Sequence, residues 1–154
     1  MQLKEVAHLI ETSIVGLKMD VLACRGAKDG QWSIKIKDAT VWIDVFDFPT
    51  TPGKFYLQVM SAMFPVPDKK KDEFSWDLLD INYKMYNCWM CKKENWIYVL
   101  SLREAAGLNQ SEVDTILDRV AFYSSDYYNK LSFKYEGCWL PKAPVADKAP
   151  GSPQ

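Results

Sequence analysis

The sequence predicts a single α+β domain, with helices packed on a mostly antiparallel five-stranded sheet in the order α-β-β-β-α-β-β-α. Three observations carry this reading. Between Asp77 and Leu131 the chain reads helix, hairpin, helix, with apolar runs at 87–91 and 96–102 on either side of the polar connector Lys92-Lys93-Glu94-Asn95. Upstream, Trp32, Ile34 and Ile36 alternate with Ser33, Lys35 and Lys37, the period of a strand with one buried face. At each end of the chain, apolar residues recur at helical spacing.

The first helical stripe is Leu3, Val6, Ala7, Ile10, Ile14, Leu17 and Val21, roughly six turns on one face. His8, the chain's one histidine, falls on the opposite face and reads as a solvated surface residue. Gly26 or Gly30 ends this region. After the strand at 32–37, the chain returns as Val41-Trp42-Ile43-Asp44-Val45-Phe46-Asp47-Phe48. Val41, Ile43 and Val45 face one way, and Trp42, Asp44, Phe46 and Phe48 the other. The run from Pro49 to Gly53 is a turn by composition. In a third strand, residues 54–64, Phe55, Leu57 and Val59 share one face and Tyr56, Gln58, Met60 and Phe64 the opposite one.

Residues 65–72 hold two prolines and a lysine run and read as an exposed connector, too poor in interleaved aromatics for nucleic acid. A second helix starts near Glu73 and carries Phe74, Leu78, Leu79 and Ile81 toward the core. After the hairpin, Asn109 with Glu112 three residues on has the form of a capping box. Val113, Ile116, Leu117, Val120, Ser124, Tyr127 and Leu131 then hold one helical face, with Asp114, Asp118 and Asp126 away from it. Pro141, Pro144, Pro150 and Pro153 leave the segment 141–154 without means to form a core, which predicts a disordered tail behind a domain of residues 1–140.

Composition bounds the function. The 154 residues suit one domain. They are 48% hydrophobic and 14% aromatic, with net charge −1 and a pI of about 5.8, which excludes a general nucleic-acid or polyanionic character. No apolar run approaches a membrane span and no signal peptide is visible, so the expectation is a soluble, cytoplasmic protein. Four cysteines are too few and too scattered for a disulfide scaffold.

No constellation asks for catalysis. Cys88-Trp89-Met90-Cys91 matches C-x-x-C, but a redox pair wants a helix N-terminus and a zinc site wants a second pair. On a strand, positions 88 and 91 point to opposite faces, so both read as packing residues. Asp44 and Asp47 are an odd number apart and lie on opposite sides of an extended chain. There is no phosphate loop and no nucleophile elbow. The expectation is no catalytic residue, no metal and no cofactor.

The informative feature is surplus aromatic surface. The strands are apolar on both faces, and the long helices can cover only one of them. The other would hold Trp42, Phe46, Phe48, Tyr56, Met60 and Phe64, interrupted by Asp44 and Gln58. Two readings of this face stand. Either the second helix and the loops fold over it as core, or it is a surface for a partner chain or a second copy. The candidate partner-binding residues are Trp42, Phe46, Phe48, Tyr56 and Met60.

Leu78-Leu79-Asp80-Ile81-Asn82 before a hairpin resembles the LLxxN helix of the bacterial YbjN-like proteins. So do Leu102-Arg103-Glu104, the run Gly107 to Glu112, the helix end Tyr127-Tyr128-Asn129-Lys130-Leu131, and Phe64-Pro65-Val66-Pro67 upstream. The resemblance spans about Val41 to Leu131. That family, labelled sensory transduction regulators, is similar in fold to type III secretion chaperones. The resemblance implies a small α+β protein that binds polypeptides, often as a homodimer, and it carries over no catalytic residues. The Pro-rich tail, the six tryptophans and the weak acidity depart from the pattern. The expected function is a non-catalytic, chaperone-like or regulatory module that binds a protein through the aromatic face or a sheet edge. The alternatives are a structural subunit of a homo-oligomer or larger assembly, and a thiol or metal module using Cys88 and Cys91. Neither nucleic acid nor membrane is expected as a partner.

Overall fold

The computed structural model describes residues 1–141. The elements are α1 (Leu3–Gly16), α2 (Val21–Cys24), β1 (Gln31–Ile36), β2 (Ala39–Phe48), β3 (Thr51–Pro65), α3 (Lys71–Lys84), β4 (Trp89–Lys93), β5 (Trp96–Glu104) and α4 (Gln110–Lys134). The five strands form one antiparallel sheet in the order β1-β2-β3-β5-β4. This is the predicted α+β architecture with one additional helical turn, α2. Of the tail expected at 141–154, residues 142–154 lie outside the described residues.

Each hairpin turns on two residues. Lys37 and Glu94 adopt left-handed backbone at the first turn position, φ 55° and 53°. The β4–β5 turn is therefore only Glu94-Asn95, and Lys92 and Lys93 belong to the strand. The β2–β3 turn is Pro49-Thr50, so Pro52 and Gly53 lie inside β3 rather than in the turn.

The helices share one side of the sheet. Trp32, Ile34, Ile36, Val41, Ile43, Val45, Leu57 and Val59 are buried there, as the alternation predicts. α4 lies across the middle strands, and its Ser124 hydroxyl meets Ser61 of β3 at 2.8 Å. α4 opens with the predicted capping box: Asn109 Oδ1 accepts from the Glu112 N–H and Glu112 Oε2 accepts from the Asn109 N–H, both at 3.1 Å. α1 packs beside α4 through Val6, Ile10 and Ile14. A polar clasp also joins the two helices. Ser13 Oγ donates to Asp114 at 2.6 Å, and Gln110 Nε2 donates to Ser13 Oγ at 2.7 Å. Asp114 is thus a helix–helix bond, not only a solvated charge.

Three expectations need correcting. The first helix stops at Gly16, and Leu17 is exposed. Lys18 takes φ 61°, and Asp20 caps a new turn by accepting the Leu22 N–H. A capping aspartate inside an apolar stripe starts a second helix rather than extending the first. Next, Phe64 does not share the face of Tyr56. A bulge between Ala62 and Phe64 inserts a residue and turns Phe64 to the helix side. There its ring lies 5.9 Å from Phe74, 5.8 Å from Tyr128 and 5.2 Å from Trp139. Finally, α3 delivers Phe74 to the core but leaves Leu79 exposed.

α3 runs along the outer side of β4 beside the end of α4. Asp77 accepts from both Lys134 Nζ and Tyr135 Oη at 2.5 Å, and these hydrogen bonds hold its carboxyl below the usual range. Asn82 takes both backbone groups of Met90: Oδ1 accepts the N–H at 2.7 Å and Nδ2 donates to the carbonyl at 3.2 Å. After α4, Trp139 Nε1 donates to the Pro65 carbonyl at 2.7 Å and Cys138 is buried, which ties the last described residues to the end of β3.

Candidate functional site

With every described helix on one side, the other side of the sheet is bare. The strand register orders its side chains into rows. One row runs Ser33, Trp42, Met60, Leu100, Trp89. The next is Gln31, Asp44, Gln58, Leu102. A third holds Phe46, Tyr56 and Glu104, and on the far side of the first lie Ala62, Tyr98 and Cys91.

The five sequence-predicted residues fall on this face in two groups. Phe46, Phe48 and Tyr56 form an aromatic cluster at one end. Phe46 and Tyr56 stack with ring centroids 6.1 Å apart, and Phe48 meets them edge-on at 5.3 and 5.0 Å. Trp42 and Met60 are paired across β2 and β3, one polar row away. Trp42, Phe46 and Tyr56 are half-buried and Phe48 is 38% exposed. Met60 is only 5% exposed, with Gln58 Nε2 3.5 Å from its sulfur, so it makes the floor of the face rather than a contact surface. Between the groups lie Asp44 and Gln58, both buried, which break the apolar surface with fixed polar atoms.

Sequence reasoning missed one further part of this face and a second exposed apolar surface elsewhere on the molecule. Trp89 (36% exposed) and Trp96 (43% exposed) extend the face across β4 and β5, a position available from the hairpin alternation alone. The other is a stripe on α3. Trp76, Leu79 and Tyr83, followed by Tyr86 beyond the helix, are strongly exposed, Tyr83 at 93%. Their spacing of three or four residues puts them on one helical face, and the signal was hidden because Leu79 reads as a core residue.

The C-x-x-C pair straddles the start of β4 rather than lying wholly on a strand. Cys88 precedes β4 and is buried, whereas Cys91 lies in a bare-face row opposite Tyr98. Burial pushes the Cys88 thiol up to about 11, against the opposing pull of Arg119, and burial also raises Cys91. Desolvated thiols of this kind are poor nucleophiles and poor metal ligands at neutral pH. His8 is exposed on α1.

No family model matches the chain, and no curated protein is detectably similar to it. Solved structures are similar in fold. A chain in the ExsC–ExsE complex superposes with a TM-score of 0.64 at 11% identity, covering 84% of this chain and 96% of that one. The type III secretion chaperone SycH of Yersinia pestis, solved with a stable fragment of a second protein, gives 0.56 at 11% identity over 77% of this chain and 96% of that one. A chain of the heterodimeric ExoU–SpcU complex from the type III secretion system of Pseudomonas aeruginosa gives 0.57 at 8%, over 77% and 93%. The fold is that of the secretion chaperones: one α+β domain with an open five-stranded antiparallel sheet and helices packed against it.

Proposed function

We propose that this chain is a non-catalytic binding protein, chaperone-like or regulatory, which holds a segment of another polypeptide against the bare side of its sheet. The observation that carries the reading is that bare, aromatic-rich face, with Trp42, Phe46, Phe48, Tyr56 and Trp89 in rows and no described helix over them. A face of this kind loses apolar surface to water until something covers it. The fold neighbours were solved in complex with protein partners, which supports a polypeptide as the cover. The buried, unactivated thiols argue against the thiol or metal alternative. The YbjN-like motifs at 78–82 and 102–112 go with the regulatory form of this proposal, and a cytoplasmic location with all of it.

The protein acts as a homodimer in this reading, joined through the α3 stripe of Trp76, Leu79 and Tyr83. A second copy of the same stripe is the simplest apolar cover for a helix face that no described residue buries. A subunit of a larger assembly would need the same surface. Two measurements separate the roles. Trp42→Ala and Phe46→Ala should weaken binding of linear peptides, selected from a random display library against the whole chain, by about 2 kcal/mol or more, with dimer mass unchanged. Tyr83→Lys should convert dimer to monomer in sedimentation without loss of peptide binding. Failure to select any peptide, or peptide affinity untouched by both sheet-face substitutions, overturns the reading.

A further inference from the structure

β4 is shorter than the strand it pairs with. It covers β5 from Trp96 to Leu100 only, and β5 continues to Glu104 with β3 on its other side. The hydrogen-bond phase of the uncovered part follows from Met90. Its N–H and carbonyl both point outward to Asn82, so Trp89 and Cys91 bond β5, opposite Leu100 and Tyr98. Two residues on from Leu100, the N–H and carbonyl of Leu102 point the same way, past the start of β4. The Ala105 N–H bonds Phe55 on the β3 side, as this alternation requires. The chain before β4 does not fill the gap. Asn87 turns with φ 51°, and the Tyr86 N–H bonds the hydroxyl of Tyr123 on α4.

The gap opens into a groove of about 480 Å³ between Asn87, Trp89 and residues 101–103 on one side and α4 on the other. Ser111, Thr115 and Arg119, four residues apart, line the α4 wall. The two arginines of the groove differ. Arg103 is fully engaged, with Glu112 Oε1 at 2.5 Å and the carbonyls of Glu104 and Ala106 at 3.0 and 3.3 Å. Arg119 is half-buried and has neither a hydrogen bond nor an ion pair among the described residues.

We propose that this groove binds an extended polypeptide segment carrying a carboxylate. The segment adds a short strand in line with β4, exchanges two hydrogen bonds with the backbone of Leu102, and places its carboxylate on Arg119. The residue opposite Leu102 is apolar, since it shares the bare face with Trp89 and Leu102. A neighbour in sequence points to the other side, toward α4 and its guanidinium. The inference rests on the binding role proposed above and names a chemistry for the partner. It also says where the partner leaves the bare face and meets the helix layer.

The test uses linear peptides selected from a random display library against the whole chain, then synthesised with capped ends. Three changes follow: acid to amide in the peptide, N-methylation of its central residue, and Arg119→Gln in the protein. Each should weaken binding about tenfold or more, and the first and third should not add when combined. In labelled protein the Leu102 amide and the Arg119 Nε–H resonances should move on binding. A version with a free C-terminus and no acidic side chain shows whether the chain end supplies the carboxylate. Peptides that bind with no response to Arg119→Gln and no shift at Leu102 overturn the groove assignment and leave the general binding role standing. If no peptide is selected, both fall.

Discussion

The two sides of the sheet differ in the kind of apolar residue they carry. The helix side is aliphatic and β-branched: Ile34, Val41, Ile43 and Val59 interlock with α1 and α4 and are almost inaccessible. The bare side is aromatic, and a buried polar row, Asp44 with Gln58, runs through it. Small branched side chains fill a closed interior at crystal-like density. Large flat ones hold much of their area against each other while keeping an edge in water. The contrast teaches that hydrophobicity alone does not mark a core, whereas the shape of the apolar residues and the fixed polar atoms among them separate a packed face from a contact face.

The sharpest way to test that contrast is at the residue that changes sides. Phe64→Ala should cost about 3–5 kcal/mol in urea unfolding, because the bulge delivers its ring to Phe74, Tyr128 and Trp139. A cost as small as that of a bare-face ring would mean that the bulge is absent in solution. Next in size, Trp42→Ala should cost the isolated monomer about 1 kcal/mol of folding free energy, well below the Phe64 value. An equal loss at both sites would show that something in this chain covers the bare face.

The Asp77 bonds test the helix layer alone. Asp77→Asn should lose about 1–2 kcal/mol at neutral pH, since two charge-assisted or short bonds end on this carboxylate. Because those bonds depress its pKa in the folded state, their contribution is present above the ordinary aspartate range, near pH 4, and is lost as pH falls through the depressed value. The parent chain should therefore lose more stability than the variant on going from pH 5 to pH 2. A parallel acid profile in the two proteins would refute this. Smallest of all, removing residues 141–154 should shift the thermal midpoint by less than the several degrees that about 1 kcal/mol represents. A larger drop would place the segment on one of the two faces.

Much of the fold was legible because it depends on periods. Alternation at 32–36 and 41–45 set the buried side of β1 and β2, and the Asn109–Glu112 pair marked the start of α4. What was not legible depends on single residues or on lengths. The bulge at Ala62 and Phe64 is one inserted residue with no compositional mark, yet it reversed the side of a phenylalanine. The break after Gly16 hinged on Asp20, whose capping role competes with a stripe that runs straight through it. Of the site, the five residues on β2 and β3 were readable by parity, but their degree of cover was not, because it depends on where α3 docks. The open backbone at Leu102 arises from a mismatch between β4 and β5 that no residue type announces.

The Asn82 amide on Met90 bears on how copies of this chain can join. A sheet has two lateral edges, here β1 and β4. Endless growth needs both, since each added copy must accept a strand on one side and offer one on the other. Asn82 fills the β4 edge at Met90 with a side chain that cannot be extended, and Lys92 and Lys93 follow it. On the β1 edge, Arg25 occupies Trp32 and the strand beyond remains. Of the two outer strands, β1 keeps a run of backbone that could pair with β1 of another copy in a two-fold contact. Head-to-tail growth from one sheet edge to the other is thus stopped at Met90 by one asparagine.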